Sequence, residues 1–329
     1  MSLLEVEDLR VTFTTEDGPV LAVKRMSFAL ESGEILALVG ESGCGKSVTA
    51  MSIPRLLPTS GVEIEGAVRL GGRDLTALAE RDLEALRGKE ISVVFQEPMT
   101  SLNPAYTVGR QIVEVLRRHE RLNSRKALDR AVELLELVGI PDARRRCDSY
   151  PHQLSGGMRQ RVMIAIGVAC NPKVLIADEP TTALDVTIQA GVLEVIANLR
   201  DTLGTAVVLI THDLGVVAKV ADRVVVMYAG RSVEEAPVDS LFAAPQHPYT
   251  MGLIDALPSS ALLRGTRRLE EIPGMVPPPT SDPDECEFAA RCPRASARCT
   301  SARPALKVSE AEHRVACYHP GRKEVGRVS

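Results

Sequence analysis

The segment Gly40-Glu41-Ser42-Gly43-Cys44-Gly45-Lys46-Ser47 limits what this 329-residue chain can fold into more than any other. It fits G-x-x-x-x-G-K-[ST] and follows the unbroken apolar run Ile35 to Val39. Such a run, with no polar alternation, reads as a strand buried on both faces of a parallel sheet. Residues 46–53 after it read as a helix, and Pro54 predicts a kink or an early stop there. Strand, glycine loop and helix make a phosphate cradle. Glycines let the backbone turn its N–H groups inward, and the helix N-terminus adds partial positive charge. Lys46 then faces the β and γ oxygens of a nucleotide, and Ser47 can ligate Mg²⁺.

The rest of an α/β core is spaced along the chain. Residues 3–13 and 20–30 alternate as strands around an Asp17-Gly18-Pro19 turn, an antiparallel entrance to the fold. Residues 107–138 carry helical periodicity and predict an all-helical insertion between two halves of the sheet. Further buried strands are expected at 174–177, 206–210 and 223–227. The first of these runs, Val174 to Ala177, ends in Asp178-Glu179-Pro180. Two carboxylates where a buried strand surfaces suit divided roles. Asp178 is placed to hold the metal through water or Ser47, and Glu179 to orient or deprotonate the water that attacks a γ-phosphate. His212, after the strand at 206–210, is a further candidate for the γ-phosphate.

Composition narrows the remaining choices. A formal charge of −4 provides no global basic field, so nucleic acid is not an expected partner. The N-terminus lacks the basic cap and apolar stretch of a signal peptide, and no uncharged apolar run is long enough to span a bilayer. A cytosolic location is therefore expected. Four of the seven cysteines, Cys286, Cys292, Cys299 and Cys317, crowd into the C-terminal stretch as C-x5-C-x6-C-x17-C, after a segment with six prolines between Pro258 and Pro283. The divisions that follow are an ATPase domain over 1–236 with a helical subdomain at about 97–165, post-core helices and a proline-rich linker over 237–283, a cysteine-rich module over 284–319 and a tail over 320–329.

Leu154-Ser155-Gly156-Gly157-Met158-Arg159-Gln160 resembles the signature motif of ABC ATPases, with methionine at its fifth position. A serine and two glycines at a helix N-terminus form a second phosphate cradle. In that family this cradle closes on the ATP of the opposite subunit, which implies a P-loop NTPase core working as a pair. The resemblance assigns Gln96 as the residue sensing Mg²⁺ and the membrane subunit, Ala183-Leu184-Asp185 as the loop facing the partner, His212 as the switch histidine and Phe13 as the aromatic stacked on adenine. ATP and Mg²⁺ are the implied cofactors, with Ser47, Gln96 and Asp178 around the metal.

Gln96 to Pro104, His247-Pro248-Tyr249-Thr250, Ala256-Leu257-Pro258 and Ile272-Pro273-Gly274 carry the likeness further, to oligopeptide and dipeptide importer ATPases. The implied assembly has a second, related ATPase subunit, two transmembrane permease subunits and an external substrate-binding protein. The chain would then sit on the cytoplasmic face of the membrane. Met99, Leu102 and Tyr106 are expected to form an exposed apolar patch against a permease helix. Nickel or another small solute stays open as cargo, as does an ABC ATPase outside transport, although a single P-loop and the absence of sustained heptads speak against the latter. A non-hydrolysing scaffold is disfavoured by Glu179. The four C-terminal cysteines are expected to bind one metal centre, a [4Fe–4S] cluster ahead of Zn²⁺. They lack the tight C-x2-C pairs of zinc fingers, and Cys292-Pro293 is similar to the Cys-Pro pairing of bacterial ferredoxins.

Overall fold

The computed structural model describes residues 2–97, 101–182, 184–257, 271–310 and 312–321. It divides into two compact units, Met1–Ser2, Leu30–Ile35 and Ala77–Ile210 in the first, and Leu3–Ala29, Leu36–Thr76 and Thr211–Ser329 in the second.

The second unit holds two runs of strands. β1 (Leu4–Thr15), β2 (Gly18–Leu30), β4 (Val62–Leu70) and β5 (Arg73–Asp74) lie in the order β2-β1-β4-β5, with β1 antiparallel to β4. β3 (Ile35–Val39), β9 (Arg223–Tyr228), β10 (Arg231–Pro237), β11 (Lys307–Glu310) and β12 (His313–Val315) follow the order β11-β12-β10-β9-β3. Every residue of β3 is buried, and it runs parallel to β9 with Val39 opposite Val226. Each of its large apolar side chains contributes about 1.5–3 kcal/mol on leaving water. β12 pairs antiparallel with β10, so the C-terminal strands extend this run.

The helices of this unit are α1 (Lys46–Ser52), α8 (Leu214–Val220), α9 (Val238–Ala243) and α10 (Pro248–Asp255). α1 stops at Ser52 with Ile53 as its cap, the early end that Pro54 predicts.

In the first unit β6 (Ile91–Val94), β7 (Val174–Asp178) and β8 (Ala206–Thr211) form a parallel run in the order β8-β7-β6. With them are α2 (Glu80–Leu86), α3 (Val108–His119), α4 (Ser124–Leu137), α5 (Ala143–Arg146), α6 (Gly156–Gly167) and α7 (Val186–Leu203). α3 and α4 fall where the periodicity over 107–138 places helices. Thr107 and Asn123 cap them, each side-chain oxygen accepting a backbone N–H three residues on. Among the described residues no helix is long and apolar enough to cross a membrane.

α10 is fastened through buried polar groups. Glu234 on β10 is fully buried and accepts from the N–H groups of Gln246 at 2.6 Å and His247 at 2.9 Å. His313 Nε2 lies 2.7 Å from the same carboxylate. His247 Nδ1 caps α10 by accepting from Tyr249 N–H at 3.1 Å, so it must be unprotonated. Burial lowers the pKa of this ring from 6.5 to about 4, against the pull of Glu234. Below pH 6.5 the unfolded chain therefore binds a proton that the fold excludes. Stability is expected to fall as pH drops from about 6.5 to about 4, by at most about 3 kcal/mol from this group. His247→Asn keeps a capping acceptor and should flatten that part of the profile, as read from melting temperatures of both proteins across the range.

Candidate nucleotide site

In the second unit the phosphate loop is shaped by where side chains cannot go. Gly40 has φ 155°, and a Cβ there would run into the Met227 carbonyl oxygen. Gly45, with φ 100°, caps α1, and a Cβ there would run into the Ala22 carbonyl oxygen. Both positions exclude every other residue, and the backbone closes tightly around the loop. Lys46 is 4% exposed, and its Nζ donates to the carbonyls of Gly40 at 2.8 Å and Glu41 at 3.0 Å. The ammonium thus sits within the curve of the loop. Ser42 and Gly43 are exposed along it, and Ser47 is exposed on the first turn of α1.

Cys44, within the motif, is buried, and burial pushes its thiol pKa up. It packs as a small apolar residue and is not a reactive thiolate. Phe13 is half-buried on β1 opposite Val62. His212 is exposed next to Asp213, whose carboxylate caps α8 by accepting from Gly215 and Val216 N–H.

In the first unit β7 carries Asp178 to its C-terminal end, 3% exposed. Glu179 leaves the strand at φ 46°, a left-handed conformation that costs a residue with a Cβ about 1–2 kcal/mol. Its N–H is held by the Ile210 carbonyl at 2.9 Å. Its Oε2 accepts from Gln96 Nε2 at 3.0 Å and from Thr182 Oγ1 at 2.8 Å. The two donors fix the direction in which the carboxylate points. Gln96 and Glu179, read separately from the sequence, are thereby brought together. Thr182 was not singled out, although its place three residues after Glu179 on a turn is the available signal.

The signature segment opens α6. Ser155 Oγ accepts from Met158 N–H at 3.3 Å, leaving Ser155 and Gly156 exposed at the helix start. A Cβ on Gly157 would run into Ile188 Cγ2 on α7, and one on Gly156 would meet Leu184 at 3.7 Å. Asp185 caps α7, accepting from Ile188 N–H at 2.9 Å. Two helix N-termini are thus packed side by side, and both favour anions.

Some expectations lie outside the described residues: Pro98, Met99 and Thr100 in the loop after Gln96, Ala183 before Leu184, the linker over 258–270 and the tail over 322–329. The exposed apolar patch is corrected where it can be seen. Leu102 is only 2% exposed, and Tyr106 is half-buried with the Arg110 guanidinium 3.9 Å from its ring centre. A leucine beside an amphipathic helix pair gains more by entering its own core than by facing water.

The four cysteines expected to form a C-terminal metal centre all lie among the described residues. All seven cysteines are free thiols, and among the described residues no group of three or more His, Cys, Asp or Glu could hold a metal ion. The thiols of Cys286, Cys292 and Cys317 are pushed up, first by burial, the last to about 11. They are still close enough for the charges of Cys286, Cys292 and Cys299 to act on Cys317. Cys292 Sγ accepts from Arg294 N–H at 3.4 Å and Cys317 Sγ from His319 N–H at 3.3 Å.

Residues 23–182 match the family described as ABC transporter, and residues 233–299 match that described as oligopeptide/dipeptide transporter, C-terminal region. The chain is 51% identical over 317 residues to a probable peptide ABC transporter ATP-binding protein of Sinorhizobium fredii, covering 96% of this chain and 94% of the relative. It is 50% identical over 319 residues to the oligopeptide transport ATP-binding protein AppD of Bacillus subtilis, covering 96% of both. Among solved structures it is similar to a dimeric, post-hydrolysis ATP-binding cassette bound to ADP and Pi, with a TM-score of 0.64 and 27% identity over 71% of this chain and 98% of that one.

Proposed function

The chain belongs to the ABC transporter family of ATP-binding proteins, and on that premise we propose how its residues divide the work of binding and hydrolysing ATP. It is the ATP-hydrolysing subunit that energises a peptide importer. Such a subunit works with membrane permeases and a substrate-binding protein. As a finer reading, its ATPase partner is a related but different chain, and both sit at the cytoplasmic face of the membrane.

The observation that carries the mechanism is the Glu179 carboxylate, turned out of β7 in a left-handed conformation and aimed by Gln96 and Thr182. A carboxylate so fixed can orient a water and accept its proton as that water attacks the γ-phosphate. Lys46 and the N–H groups of residues 40–47 bind the phosphates. Phe13 stacks on adenine, and His212 contacts the γ-phosphate. Mg²⁺, when bound, neutralises phosphate oxygens, and Ser47, Asp178 and Gln96 are the residues to hold it. Ser155, Gly156 and Gly157, with Asp185, serve the ATP held by the partner subunit. One phosphate loop and one signature segment per chain account for the need for that partner.

A specific observation favours a second role, for the C-terminal cysteines. Cys286 N–H donates to the Cys299 carbonyl at 2.8 Å, and the charges of Cys286, Cys292 and Cys299 act on Cys317, so the four thiols lie near one another. The N–H donors two residues after Cys292 and Cys317 support thiolate ligands, because such bonds stabilise negative sulfur. We therefore assign Cys286, Cys292, Cys299 and Cys317 to a [4Fe–4S] cluster, in a structural role.

Glu179→Gln is expected to keep ATP binding while slowing hydrolysis by about a hundredfold or more. Lys46→Ala should weaken binding itself. Both are read by nucleotide titration and phosphate release, and normal turnover in both variants would refute the assignment. Anaerobic purification followed by metal and sulfide analysis should give about four irons and four sulfides per chain. One zinc without iron would overturn the cluster.

A further inference from the structure

A glycine-rich loop binds phosphate well only if its backbone is held in the receiving shape beforehand, since glycine has the most conformational freedom to lose. In this chain one end of the loop is held from outside the nucleotide motifs. The N–H of Glu41 donates to Tyr249 Oη at 2.8 Å. The Glu41 carboxylate is gripped by a fork from Arg291, Nη1 to Oε2 at 2.7 Å and Nη2 to Oε1 at 3.0 Å. Both partners come from the C-terminal part of the chain, more than two hundred residues away.

The two holding groups are themselves fixed. Arg291 donates from Nε to the Pro273 carbonyl at 2.8 Å and from Nη2 to the Ile272 carbonyl at 3.2 Å. Its guanidinium lies 5.7 Å from the ring centre of Tyr228 and 5.9 Å from that of Phe288. Its side chain is 5% exposed, against 30% for Glu41. Tyr249 is fully buried, edge-on to Tyr228 with ring centres 4.7 Å apart and tilted against Phe288 at 5.5 Å. A buried guanidinium is costly unless its charge is answered, and the answering carboxylate here is a loop residue. Lys46 in turn donates to the Glu41 carbonyl, so displacing Glu41 displaces an acceptor of the phosphate-binding lysine.

We propose that Arg291 and Tyr249 are positioning residues for the phosphate loop, and that through them the C-terminal segment sets the affinity of this subunit for ATP. The proposal rests on residues 40–47 being that loop. Two effects act together. The clamp fixes the backbone at Glu41, and the guanidinium cancels a carboxylate that would otherwise repel the incoming phosphates.

The test measures binding of MgAMP-PNP to the full chain, and KM and kcat for ATP in the assembled transporter. Arg291→Gln is expected to weaken nucleotide binding about tenfold and to raise KM by a similar factor, with kcat at saturating ATP little changed. Arg291→Lys, which keeps the charge but not the fork, should fall between. Glu41→Gln/Arg291→Gln should bind better than Arg291→Gln alone, because the uncompensated carboxylate is gone. Tyr249→Phe keeps the ring packing and removes only the acceptor for Glu41 N–H. It should weaken binding about threefold, and it carries the test if Arg291→Gln does not fold. Unchanged affinity in Tyr249→Phe and in folded Arg291→Gln, with binding lost in Lys46→Ala, overturns the proposal and leaves the loop assignment standing. Normal binding by Lys46→Ala overturns both.

Discussion

Two backbone carbonyls, those of Met227 and Ala22, press against the phosphate loop where Gly40 and Gly45 have no side chain, and much of the second unit is arranged around that approach. Met227 lies on β9, paired in parallel with β3, so the strand that launches the loop and the strand that supports it are registered together. Ala22 lies on β2, at the antiparallel entrance. Close approach explains why the motif glycines differ in kind. Gly43 meets nothing within 4 Å, so its φ of 79° alone favours glycine, whereas Gly40 and Gly45 are fixed by both angle and space.

The first unit solves a related problem with strain. β7 is buried along its whole length, and a carboxylate needed at its end has to turn out of the sheet abruptly. Glu179 does this at φ 46°, and hydrogen bonds to Ile210, Gln96 and Thr182 offset the cost. At about 1 kcal/mol or more each, three such bonds outweigh the strain. Asp178, one residue earlier, keeps strand geometry and stays buried, so the two carboxylates part in direction although they are adjacent in sequence.

Local order made much of this legible. The apolar runs that became β3, β7, β8 and β9, the glycine spacing and the stop at Pro54 all depend on neighbours within a few residues. Glu179 and the signature segment were readable for the same reason. What escaped depends on long-range contact. Nothing near Arg291 marks it as a partner of Glu41, because the fork exists only once β9, α10 and the segment after Pro283 have packed. Leu102 was misread because the burial of an apolar loop residue is decided by the helices beside it. The cysteines were readable as a cluster in sequence, but the arrangement of their sulfurs was not, since spacing along a loop-rich chain fixes no distance between sulfurs.

The segment from Asp282 to Arg291 is seated by charge to an unusual degree, and this explains how a region with little regular structure can act on the loop. Asp282 Oδ1 takes Arg231 and Arg303 at 2.6 Å each, and Oδ2 takes Arg10 at 3.1 Å. Lys24 and Glu287 pair at 2.6 Å with side chains 2% and 6% exposed. Buried ion pairs add little net stability over apolar packing, because desolvation cancels most of the attraction. What they do add is a strong cost for any misplacement, since a shifted segment would leave charges buried and unanswered. Apolar contacts around Phe288 alone would tolerate sliding, as hydrophobic burial has no preferred direction. Charge pairing on both sides of Phe288 removes that freedom, and the same geometry that satisfies Asp282 and Glu287 delivers Arg291 to Glu41.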